Sequence, residues 1–250
     1  MGNSLHKKIE AHAAYLKLRH LSEIYENLAE KSAISKLSHV EFLSLILEAE
    51  VQHKKELSVD RRIKQAKFPY LKTMEGFNFS FQPCLNEKEV LHLSGLNFME
   101  HKQNVIFLGP PGVGKTHLAT ALGIKACSSG YRVEFRSSTS LISELALAEK
   151  KGELIQTLMR FSRLHLMIID EMGYMPISNH EANLLFQLVS MLYEKVSVIL
   201  TSNFNFDEWS RFFQDSIVAT AIVDRIVHHG HLFFINGASY RIKEKIKKSL

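Results

Sequence analysis

The stretch NVIFLGPPGVGKT, Asn104 to Thr116, sets a short apolar run against a glycine-rich turn and a Lys-Thr pair. NVIFL suits a buried strand, because an apolar run this short, closed by Gly and Pro, is too brief for a helix. After Thr116 the pattern turns helical. Four more runs of the first kind follow: RVEFR (132–136), LHLMIID (164–170), VSVILTS (196–202) and LFFI (232–235). Helical segments fill the gaps between them. That alternation calls for crossover connections, which line the strands up in parallel and cover both faces of the sheet with helices. The expected fold is therefore α/β, built on a five-stranded parallel sheet.

GPPGVGKT fits G-x-x-x-x-G-K-[ST] in full. In such a loop the glycines let backbone N–H groups curl around phosphates, and the next helix adds its positive N-terminal end. The expected ligand is ATP, held by Gly109, Pro110, Pro111, Gly112, Val113, Gly114, Lys115, Thr116 and His117. Lys115 is suited to the β- and γ-phosphates, and the Thr116 hydroxyl to Mg²⁺. A cradle alone does not hydrolyse what it binds. LMIIDE adds Asp170 at the end of a later strand, where it can share the metal, and Glu171 beside it, free to orient and polarise water. Asn203, at the tip of VSVILTSN, offers a neutral amide for the water or the γ-phosphate without competing for metal. A small-molecule kinase would share the loop but has less use for the Asp-Glu pair and the amide. A scaffold that never turns ATP over would have no use for them at all. The expected activity is that of an ATPase.

The rest of the chain sets the context. With 250 residues, 46% hydrophobic and 23% charged, it can bury one core plus a small appended unit. Cys84 and Cys127 have no C-x-x-C partners, and none of the 13 histidines sits in an H-E-x-x-H setting. A disulfide framework is not expected, and the reading is of a reducing, cytoplasmic setting. No run is long and apolar enough to cross a bilayer, and MGNSLHKKIEAH lacks the apolar segment of a signal peptide. Residues 1–68 read as a helical domain: Leu18, Leu21, Tyr25 and Leu28 share one helix face, and Ser38 with Glu41 makes a capping-box start for a helix that ends before Pro69. Of the net charge of +5, residues 1–68 hold +3 and 241–250 hold +4, leaving −2 between them. The basic run RRIKQAK, with Arg61, Arg62, Lys64 and Lys67, has two readings from its charge, a contact for phosphates or a solvated helix face. Residues 69–96 read as a linker whose Phe77, Phe79 and Phe81 pack on the next domain rather than bind a ligand. Residues 97–250 form the ATPase domain with a basic tail, too short after its last strand for a full helical lid.

Taken together, these residues resemble the AAA+ P-loop ATPases, and within them the IstB-like transposition ATPases, a branch shared with the DnaC helicase loaders. The resemblance covers nearly the whole chain. It rests on Asn104–Leu122, LMIIDEMGYMP (166–176), LFQLVSMLYEKVS (185–197), TSNF (201–204), DEW (207–209), DRIVHH (224–229) and GASYR (237–241). Two positions depart from the pattern: Leu192 stands where Arg usually precedes Tyr-Glu, and Val113 replaces a common Thr.

The resemblance implies a homo-oligomer with ATP between subunits, a helical N-terminal domain that helps bind duplex DNA, and a partner transposase; a replicative helicase is the alternative partner. It also implies a role for Arg225, on the helix before the last strand, as the arginine directed at a neighbour's γ-phosphate, with Arg211 as the second candidate. Arg241 has two readings, as a nucleotide contact within its own subunit or as the start of the basic tail. His228, His229 and His231 read as helix-end and turn residues.

Overall fold

The computed structural model describes residues 2–213 and 216–241. The chain divides into two compact units, Met1–Arg61 and Arg62–Leu250. The basic tail beyond Arg241, and with it the expectation about a lid, lies outside the described residues.

The first unit is helical: α1 (Gly2–Tyr15), α2 (Arg19–Ile34) and most of α3 (His39–Ala66). The capping box forms, with the Ser38 N–H donating to the Glu41 carboxylate at 2.7 Å and the Glu41 N–H returning to the Ser38 hydroxyl at 3.3 Å. Tyr25 is buried, with Leu18, Leu21 and Leu28 half-buried beside it in sequence register. The start of α2 has no side-chain cap of its own; Glu50 on α3, 3% exposed, accepts from the Leu21 N–H at 2.8 Å instead. The unit's core is thin. Val40, Leu43, Leu47 and Val51 run exposed along one face of α3.

The second unit carries the sheet. Its strands are β1 (Asn104–Leu108), β2 (Val133–Ser137), β3 (Leu166–Met172), β4 (Ser197–Ser202) and β5 (Gly230–Phe234), all parallel, in the order β2-β3-β4-β1-β5. Before β1 come a 3₁₀ turn (Phe79–Phe81), α4 (Glu87–Leu93) and α5 (Asn97–Glu100). Between and after the strands lie α6 (Lys115–Ser128), α7 (Ser138–Lys150), α8 (Leu154–Phe161), α9 (Asn179–Leu192), α10 (Phe206–Phe213) and α11 (Ser216–Val227).

Because successive strand residues face opposite sides, each strand feeds two cores. Ile106, Leu108, Met167, Ile169 and Leu200 pack with α7, α9, α10 and α11, where Trp209 is fully buried. Val105, Phe107, Ile168 and Ile199 pack on the other face with α6, α4 and α5. Residues 69–96 contribute Leu85, Val90 and Leu93 to that second core. Each such buried apolar side chain stabilises the fold by roughly 1.5–3 kcal/mol. Asn104, buried at the start of β1, ties three elements: its amide donates to the Ile226 carbonyl at 2.9 Å and its oxygen accepts from the Val198 N–H at 2.9 Å.

β2 and β4 differ from the sequence expectation by no more than one residue at either end, while β3 and β5 differ further. β3 runs on to Met172, past a register shift between Ile169 and Met172 where it pairs with β4. β5 starts at Gly230, because Gly230 pairs with Asn104 and a Cβ there would press on Ile106 and the carbonyls that end α11. No helix among the described residues is long and apolar enough to cross a membrane.

Candidate functional site

All five strands point their C-terminal ends to one edge of the sheet, and there the loop after β1 opens a cleft of about 340 Å³. The loop bends because its glycines occupy left-handed backbone: φ is 146° at Gly109 and 105° at Gly114. At Gly114 a Cβ would also come within 2.5 Å of the Phe77 ring, so both conformation and space demand glycine. Val113 points the other way, 1% exposed in the core below, and anchors the loop; that is a packing role which Val fills as an apolar side chain. The N-terminus of α6 has no side-chain cap, leaving its end to whatever enters the cleft.

Lys115 lies in the cleft, 7% exposed. Its ammonium donates to the carbonyls of Gly109 at 2.6 Å and Pro110 at 2.8 Å, and to the Asn203 side-chain oxygen at 2.7 Å. Burial lowers its pKa from 10.5 to about 8, against the pull of Asp170 and Glu171. Beside it, the Thr116 hydroxyl donates to Asp170 at 2.9 Å. Burial raises the Asp170 pKa, only partly offset by hydrogen bonds from Thr201 and Thr116 and by the charge of Lys115. A carboxylate held dry next to a hydroxyl, with oxygen donors only, is a site that fits Mg²⁺.

Glu171 adopts φ 58° at the register shift in β3, a left-handed conformation that costs about 1–3 kcal/mol for a side chain other than glycine. Its peptide is held from two sides. The Glu171 N–H donates to the Thr201 hydroxyl at 3.0 Å, and the Ser138 hydroxyl donates to the Glu171 carbonyl at 2.9 Å. Thr201 in turn donates to Asp170 at 2.5 Å. One hydroxyl thus fixes both neighbouring acids, with Asp170 turned into the protein and Glu171 exposed in the cleft.

The stretch 69–96 forms part of the cleft wall, through Tyr70, Phe77 and Phe81. The Phe77 ring meets the His117 ring edge-on at 5.3 Å, and His117 Nε2 lies 2.8 Å from the Thr73 carbonyl. The expectation that Phe77, Phe79 and Phe81 serve packing alone is thus revised: Phe77 and Phe81 face the cleft. GASYR closes another side. The Tyr240 N–H donates to the Gly112 carbonyl at 2.9 Å, the Gln82 amide donates to the Ala238 carbonyl at 3.2 Å, and Arg241 lines the cleft.

Sequence reasoning passed over Thr201, Ser138, Tyr70 and Tyr240. A hydroxyl on an otherwise apolar strand, as at Thr201, was the one local signal available.

Arg225 lies elsewhere. It is on α11, outside the cleft lining, with its guanidinium 4.8 Å from the Phe186 ring centroid and donating to the Ala221 carbonyl at 2.9 Å. The Arg211 side chain is outside the described residues. Arg61, Lys64 and Lys67 are exposed and Arg62 is half-buried. His228 and His229 do follow the end of α11, where they meet Glu194: His229 Nε2 is 3.4 Å from its carboxylate, and the Tyr193 hydroxyl is 2.8 Å from His228 Nδ1; His231 is instead a strand residue, paired with Val105 within β5. Leu192, 1% exposed, is a core residue where an arginine would have to leave the core.

Comparison with known proteins gives a consistent picture. The family model described as IstB-like ATP binding protein matches residues 11–248. An insertion-sequence ATP-binding protein of Pseudomonas aeruginosa is 45% identical over 96% of this chain and 91% of its own length. Among solved structures, AMPPCP-bound DnaA from Aquifex aeolicus superposes with a TM-score of 0.58 at 24% identity, over 73% of this chain and 56% of that one. A DnaC helicase loader superposes with a TM-score of 0.51 at 22% identity, over 70% of this chain and 98% of that one. At these identities the two structures speak for the AAA+ fold alone.

Proposed function

Because the chain belongs to the family of IstB-like ATP-binding proteins, we propose that it is an ATPase that assembles on duplex DNA, with ATP between neighbouring subunits, and activates the transposase of its mobile element. The observation that carries the proposal is a division of labour. Lys115, Thr116, Asp170, Glu171 and Asn203 meet at one cleft, while Arg225 sits apart on α11. A complete site then needs a second copy, whose Arg225 stabilises charge developing on the γ-phosphate.

Within one subunit the roles follow from position. Lys115 exchanges its carbonyl partners for phosphate oxygens, and the start of α6 adds its dipole. Thr116 and Asp170 would hold Mg²⁺, which neutralises phosphate charge and orients the terminal group. Glu171, exposed and free of metal, positions water; Asn203 holds the water or the γ-phosphate. The exposed apolar stripe of α3 and the cations Arg61, Lys64 and Lys67 supply surface for assembly and for DNA phosphates.

Sizing and imaging with duplex DNA tests the whole reading. ATP should give oligomers on DNA that ADP does not, and binding should weaken steeply with salt. Failure to bind duplex at moderate salt would sink the DNA part, and turnover by a strictly monomeric protein would sink the shared site.

The lowered pKa of Lys115 adds a pH dependence. Phosphates favour the charged amine, so ligand binding needs it protonated; below pH 8 it already is, and above that a proton must be taken up on binding. ATP affinity should be level up to about pH 8 and then fall by up to about tenfold per pH unit until the nucleotide-bound lysine itself titrates. Calorimetry in buffers of different ionisation heat would register the proton uptake; a flat affinity between pH 7 and 9.5 would contradict it.

A further inference from the structure

The ends of α9 and α11 lie side by side and bring together Glu194, His228 and His229, none of which lines the cleft. One ring nitrogen of each histidine and one carboxylate oxygen of Glu194 fall within 4.8 Å of one another. All three residues are exposed, so an ion reaches them without any opening of the fold.

The spacing inside this group is not that of a closed His–Glu pair. His180 and Glu149 approach to 2.6 Å, and His6 and Glu26 to 2.8 Å, both within hydrogen-bond range. His20 and Glu23, on one turn of α2, stand 3.6 Å apart, with no third ligating group beside them among the described residues. His229 Nε2 stands 3.4 Å from the Glu194 carboxylate with His228 at hand. That separation is long for a hydrogen bond, and it is close to the edge, about 3.3 Å, of a tetrahedron of nitrogen and oxygen ligands about 2.0–2.1 Å from zinc.

Three further features suit a cation. Helix C-termini carry partial negative charge, two of them meet here, and α9 has no basic residue in its last turn. The Tyr193 hydroxyl, 2.8 Å from His228 Nδ1, fixes the rotation of that ring and leaves Nε2 as the open nitrogen. Glu194 itself is held in left-handed backbone, φ 56°, at the position after a helix where glycine is usual. The chain thus keeps a carboxylate where backbone preference alone would select no side chain.

We propose that Glu194, His228 and His229 form a binding site for a divalent transition-metal ion of the zinc type, with the fourth position left to water. Two imidazoles and one carboxylate are a zinc ligand set, and ring nitrogens select against Mg²⁺. The site is separate from the cleft and does not depend on the ATP reading. Its consequence is mechanical. Arg225 stands on α11 one turn before His228 and lies over Phe186 of α9, so a bound ion fastens together the two helices that hold this arginine.

The test is calorimetric titration of the full chain with Zn²⁺ in excess Mg²⁺, which keeps the oxygen ligands of the cleft occupied. One tight equivalent should bind. Its affinity should fall about a hundredfold in His228→Ala, His229→Ala and Glu194→Gln and about tenfold in Tyr193→Phe, while His180→Ala keeps it within twofold. Glu194→Gln and Tyr193→Phe preserve side-chain shape, so a loss in these reports the ligand set rather than the fold. Amide exchange over residues 189–196 and 224–229 should slow with Zn²⁺ and not with Mg²⁺ alone. Tight zinc binding that survives the three ligand substitutions would place the metal elsewhere and overturn the proposal, as would the lack of any tight equivalent.

Discussion

Glu171→Gln is expected to bind ATP as tightly as the unaltered chain and to release phosphate about a thousandfold more slowly. The amide keeps the size of the carboxylate but loses the charge that polarises water. Its backbone should not move, because the left-handed peptide is held by Thr201 and Ser138 through main-chain atoms that the substitution leaves alone. Asp170 keeps both its hydroxyl donors. Single-turnover phosphate release, paired with equilibrium ATP binding, separates the two effects. A variant that loses binding and turnover together would place Glu171 in the cradle rather than at the water, and unchanged turnover would remove it from the reaction.

Arg225→Ala gives the second large effect. Turnover on DNA should fall by about a hundredfold or more, with ATP binding by the monomer intact, since the arginine lies outside the cleft of its own chain. Its loss should be mild for the fold: the guanidinium rests over Phe186 and on a carbonyl of its own helix, half-exposed, so about 1 kcal/mol is at stake. The decisive measurement mixes the two inactive variants. An interface between an Arg225→Ala subunit supplying Glu171 and a Glu171→Gln subunit supplying Arg225 contains every group, so mixing should restore part of the activity. If the mixture stays as inactive as its components, the arginine does not act across an interface.

The glycine loop and the strand ends were legible in the sequence because their chemistry is local. Gly109 and Gly114 are needed by the backbone itself, and Thr116, Asp170 and Asn203 each follow a strand or loop that the apolar pattern locates. The AAA+ sheet followed from the same pattern. What remained hidden was whatever the fold brings from a distance. Tyr70 and Phe77 come from a stretch that reads as a linker, and only the folded chain brings them to the cleft, Phe77 through its contacts with His117 and Gly114. The shift that turns Glu171 away from Asp170 depends on a register between β3 and β4 that neither strand states alone. Glu194 meets His228 and His229 because α9 and α11 end side by side, a matter of helix packing rather than spacing.

The lysine of the cleft has a consequence for the pace of the cycle. Lys115 already rests on the carbonyls of Gly109 and Pro110 and on Asn203. An incoming nucleotide therefore displaces ready partners instead of rescuing a stranded charge, which subtracts from its net affinity. On the proposed reading the same partners would wait when the product leaves, so departure would not strand the amine either. Asn203 would take part in both exchanges through its side-chain oxygen, which accepts from the lysine, while its NH2 group stays free to donate to a phosphate oxygen. Entry and exit would then proceed by partner swapping around one ammonium, a geometry suited to repeated loading rather than to permanent capture.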